Sequence, residues 1–138
     1  MRGIEWVEIK PVVAYLTTMI QRICAVAAWL TLAFIVFATL SPVGARPSIT
    51  SPHLEHFAAF ALAGFAFALA YPNRVLLIVA IVIGAAFGLE ALQLLTPDRH
   101  ARAIDALIKV LGGISGICAG QTLSFLFRLR PVGPDRPI

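Results

Sequence analysis

Two short stretches of an otherwise apolar chain hold almost all of its reactive side chains. The first, SPHLEH, carries His53, Glu55 and His56. The second runs through GLEALQ, TPDRHAR and AIDALIK and carries Glu90, Gln93, Asp98, Arg99, His100, Arg102, Asp105 and Lys109. Imidazole and carboxylate groups brought together can pass protons. His53 and His56, at i,i+3, are types that can ligate a metal with Glu90 or Asp105, but no HExxH stands here and a metal is not expected. Arg99 and Arg102 match the shape of phosphate and carboxylate. There is no Walker loop, no GxGxxG and no serine arranged with histidine and acid as a nucleophile. The chemistry this set suggests is polar recognition, with no cofactor.

The elements that position these residues must be membrane helices. The 138 residues are 59% hydrophobic and 13% charged, with mean hydropathy +0.89. A soluble domain carries roughly a quarter charged residues, and so small a core could not hide this much apolar surface. Four runs stand out, 23–40, 54–71, 75–95 and 104–127. At about 1.5 Å per residue each approaches the roughly 30 Å hydrocarbon thickness, where backbone groups must pair within the segment. The expected fold is all-α: a polytopic membrane protein with four transmembrane helices in a compact bundle. Residues 1–22 form a cytoplasmic or interfacial N-terminal segment, 23–127 the membrane domain and 128–138 a basic cytoplasmic tail. In the first segment, either WVEIKPVVAYL lies at the interface with Trp6 as anchor, or Met19 is the start. Cys24 and Cys118 sit inside apolar runs and read as small helix residues.

The net charge of +4 and pI near 9.7 do not indicate nucleic acid, because the basic residues are scattered and bracket the apolar runs. They set topology instead. With the N-terminus inside, Arg2, Lys10, Arg22, Arg74, Arg128, Arg130 and Arg136 are cytoplasmic, against Arg46, Arg99 and Arg102 outside. That asymmetry predicts a multi-pass membrane protein with both termini cytoplasmic.

On this topology the reactive residues converge. All three histidines and four of the seven acids fall on the outer half. Glu90 and Lys109 both lie about 7 Å below the outer boundary. Charges at that depth should face the bundle and pair. At 100° per residue Glu90 and Gln93 share one helix face, with Gly84 and Gly88 nearly opposite. Asp105 and Lys109 are i,i+4 neighbours and a candidate ion pair. Gly112, Gly116 and Gly120 continue their stripe, the spacing that lets helices approach closely in a bilayer.

The segments HLEHFAAFALAG and GLEALQLLTPDRHARAIDALIKVLGG resemble the VanZ-like family of small bacterial membrane proteins over roughly residues 40–116. In that pattern a His opens one helix, a Glu-x-x-Gln closes the next, and an Arg precedes an Asp-led, glycine-rich last helix. The resemblance assigns these places to His56, Glu90 and Gln93, Arg99, and Asp105. Two positions depart from the pattern. Pro52-His53 stand where an Asp-Lys pair is frequent, and Lys109 where Asn is frequent. The resemblance implies a protein of the bacterial plasma membrane with a cell-envelope role related to glycopeptide resistance.

Two functions follow as expectations. One is a non-enzymatic protein whose outward-facing pocket of His56, Glu90, Gln93, Arg99, Asp105 and Lys109 binds a lipid head group or cell-wall precursor, with membrane lipids as its surroundings. The other is a membrane-embedded hydrolase or transferase acting on an envelope lipid, with Glu90 or Asp105 as base and His56 as its partner. The absence of a clear nucleophile favours the first.

Overall fold

The computed structural model describes residues 6–41, 51–93 and 103–128, and these form α1 (Trp6–Leu40), α2 (Pro52–Ala70), α3 (Val75–Gln93) and α4 (Ala103–Arg128). Pro52 occupies the first turn of α2 behind an extended Ser51, where its missing N–H is no loss. Tyr71 closes α2 by donating its N–H to Phe67 O at 2.9 Å, and the Arg74 N–H returns to Tyr71 O at 2.9 Å. That tight turn makes α2 and α3 a hairpin. All four helices are long and apolar enough to cross a membrane. The protein is a multi-pass helical membrane bundle.

One boundary differs from the sequence reading. The first helix starts at Trp6, not near residue 23, and its apolar span runs Pro11–Leu40. Residues 6–22 are therefore helical and continuous with the rest of α1. The reason is local: between Pro11 and Ile23 no glycine or further proline interrupts the helix. Arg22 lowers hydropathy without opposing helical backbone. Pro11 stands inside α1, five residues from its start, and removes one backbone bond without ending the helix.

Glycines set the packing. A Cβ built on Gly112 would fall on the carbonyl oxygen of Phe57, and one on Gly116 on that of Ala61. On Gly120 it would stand 2.7 Å from the Ala68 Cβ and 3.0 Å from Phe65 O. The contact numbers rise together in steps of four, so α2 and α4 run parallel with their backbones touching. Gly113 turns instead to the Val82 side chain on α3. Since Lys109 meets Glu90 and Gly113 meets Val82, α3 runs antiparallel to α4. Phe60, Phe67, Ile78, Val82, Ala86, Leu89 and Ile117 fill the space between, joined from α1 by Ala28 and Ile35. Trp29 of α1 meets Phe67 edge-on, with centroids 5.2 Å apart. At the far end from the polar cluster, Gln121 Nε2 donates to Pro72 O at 3.3 Å and ties α4 to the hairpin turn.

Candidate functional site

The parallel contact of α2 and α4, with α3 alongside, brings His53, Glu90, Gln93, Asp105 and Lys109 to one end of the bundle. Lys109 has no exposed surface at all, and Glu90 and Gln93 are also buried. Lys109 Nζ donates to Glu90 Oε2 at 2.7 Å. An ammonium and a carboxylate withdrawn from solvent hold one another by a charge-assisted bond, which offsets much of what each costs alone.

The partners differ from those the spacing suggested. Asp105 and Lys109 are one turn apart on α4, yet Lys109 bonds across to α3. Asp105 instead approaches α2, its Oδ1 lying 3.0 Å from His53 Nδ1. That contact is close but not aligned as a hydrogen bond, so the buried Oδ1 accepts none. The His53 side chain is 50% exposed and that of Asp105 21%. The site thus has two levels: a closed floor, Lys109–Glu90, and a wetter rim, His53–Asp105, one helical turn nearer the start of α4. Both residues that depart from the resembled pattern, His53 and Lys109, pair with its acids.

Charge at the two levels limits what can bind. With His53 neutral, Lys109 (+1), Glu90 (−1) and Asp105 (−1) sum to −1, and a protonated His53 brings the sum to zero. These groups alone do not attract an anion. They offer acceptors, Asp105 above all, to a ligand that carries hydroxyl or ammonium donors. Arg99, which was to supply the anion contact, lies outside the described residues with Asp98, His100 and Arg102. His56 is half-buried on α2 one turn into the helix, as is Glu55. Among the described residues no three His, Cys, Asp or Glu side chains come together as a metal site.

The sequence reading gave His53 only a possible metal role and did not single out Thr39. Thr39, buried on the last turn of α1, carries no sequence signal, because a threonine in an apolar run can bond its own helix and face lipid. His53 did carry one: it lies four residues, one helical turn, before Phe57, whose backbone α4 touches. Comparison of the chain with protein-family models, with curated proteins and with solved structures finds no match in any of the three.

Proposed function

We propose that this protein is a non-enzymatic receptor of the bacterial plasma membrane. Its polar pocket opens outward and binds the head group of an envelope lipid or lipid-linked cell-wall precursor. The buried Lys109–Glu90 pair carries the reading: a bundle held by apolar and glycine contacts has no need of an ion pair in its interior. Charged residues within membrane spans mark binding or transport paths more often than structural needs. In this reading Asp105 and Gln93 accept donors from hydroxyl or amine groups, and Arg99 takes the phosphate. The placing of the termini in the cytoplasm rests on the seven-to-three Lys/Arg asymmetry. The link to VanZ-like proteins, and through them to glycopeptide resistance, rests on the order and spacing of the motifs around His56, Glu90, Gln93, Arg99 and Asp105.

Native mass spectrometry of the protein purified from membranes tests the reading, with Asp105→Asn and Gln93→Leu beside the wild type. A discrete lipid adduct on the wild type that is lost from both variants supports it. An adduct retained equally by all three overturns it. Stoichiometric zinc would move the assignment to a metal-dependent hydrolase.

A further inference from the structure

The N-terminal part of α1 is an apolar surface with none of the described residues packed over it. Every residue from 11 to 20 is exposed, including Val12, Val13, Tyr15, Leu16, Met19 and Ile20. At 100° per residue these six fall within about 160° of the helix circumference. The opposite side carries Ala14, Thr17 and Gln21. The stripe also keeps phase with the rest of α1. Val12 and Leu16 lie in line with Ile23, Leu30, Phe34 and Phe37, the exposed outer face of the spanning part. Ala14, Thr17 and Gln21 lie in line with Ala28, Ile35 and Thr39, which face the bundle.

Length shows that this surface cannot all lie in hydrocarbon with the helix upright. Residues 23–40 alone measure about 27 Å, close to the roughly 30 Å core, whereas the whole of Pro11–Leu40 measures about 45 Å. Arg22, exposed, marks the point where the first length is used up. Beyond it the large apolar face needs a cover. We infer that residues 11–21 form an arm that leans outward and rests its Val12–Leu16–Ile20 face on the bilayer surface at the end where α1 begins. The phase decides the direction. When a spanning helix leans away from its bundle, its lipid-facing side turns toward the membrane and its bundle-facing side toward water. The apolar stripe would have to switch sides for any other direction, and it does not.

Two features fit a lipid surface rather than a protein partner. The Thr17 and Thr18 hydroxyls donate back to Val13 O and Ala14 O at 2.8 and 2.9 Å, which leaves them at ease beside head groups without a specific acceptor. Lys10 and Arg22 flank the segment, and cations at the ends of an amphipathic helix attract anionic lipid.

Spin labels placed singly along the full chain test this, with Cys24 and Cys118 replaced by alanine and the protein in nanodiscs of phosphatidylcholine and phosphatidylglycerol. Collisions with oxygen should dominate at positions 12, 16 and 20, and collisions with a water-soluble nickel complex at 14, 17 and 21, reversing with the helical period. Oxygen dominating at all six positions would mean that α1 is one long tilted span, and would overturn the arm. Labels shielded from both reagents on the apolar face would mean that a protein covers it, with the same consequence. Nickel reaching both faces equally would place the segment free in water and also end the proposal.

Discussion

Lys109 is the residue on which the interior of this bundle turns. It has no exposed surface, and its charge is answered by Glu90 on a neighbouring helix. Removing one partner of such a pair leaves the other buried and unmatched, which costs about 3–5 kcal/mol, while replacing both by apolar groups is often close to neutral. Glu90→Gln is therefore expected to lower the melting temperature in detergent sharply, and Glu90→Leu with Lys109→Met to restore most of it. Lipid binding separates scaffold from site: the double variant should fold and still lose the adduct. A double variant that keeps both stability and adduct would leave the pair no role in recognition. Glu55→Gln, at the half-buried first turn of α2, should lose only about 0.3–1 kcal/mol of favourable charge at the helix N-terminus and keep its adduct. The inward position of Glu90 was legible from helical phase. Its partner was not, because i,i+4 spacing offers Asp105 to Lys109 while only the rotation of α3 against α4 decides that a long lysine crosses to Glu90.

Between helices, glycine spacing marks a capacity for close approach but not its use. Gly112, Gly116 and Gly120 lie against α2, as four-residue spacing on the Asp105–Lys109 face suggested. Gly84 and Gly88 have the same spacing on α3, yet a Cβ on either would meet nothing within 4 Å. The difference is rotational, and it follows from burying Glu90 and Gln93, which turns the opposite face of α3 outward. A contrast of single methyl groups reads this directly. Gly116→Ala would drive its Cβ onto the Ala61 carbonyl, and since backbone must shift to make room, a loss of about 1–3 kcal/mol is expected. Gly88→Ala meets open space and gains helix propensity, so stability should hold or rise by up to about 1 kcal/mol. Thermal melts in one detergent suffice; equal loss in both would mean that the α2–α4 contact does not depend on bare glycine. Helix starts were less legible. Arg22 reads as a boundary to hydropathy but not to backbone, so α1 begins well before its most apolar stretch.

For the molecule as a whole, four apolar stretches of spanning length were enough to give the architecture, because in hydrocarbon the backbone has almost no choice but to form helices. Orientation is a separate matter, since the bundle packs identically either way up and only flanking cations distinguish the sides. If both termini are cytoplasmic, Arg99 and Arg102 count against the asymmetry, and the receptor reading proposed above gives Arg99 the ligand's phosphate. Reporter fusions resolve the point. A periplasmically active enzyme joined after Arg46 should be active, and the same enzyme joined after Arg128 silent, with a cytoplasmic reporter giving the reverse. The opposite pattern would turn the Lys109–Glu90 floor and the His53–Asp105 rim toward the cytoplasm. The ion pair and the glycine contacts would stand unchanged, because they depend only on packing. A ligand drawn from the outer leaflet would be excluded, and the receptor reading would have to be rebuilt on an inner-leaflet lipid.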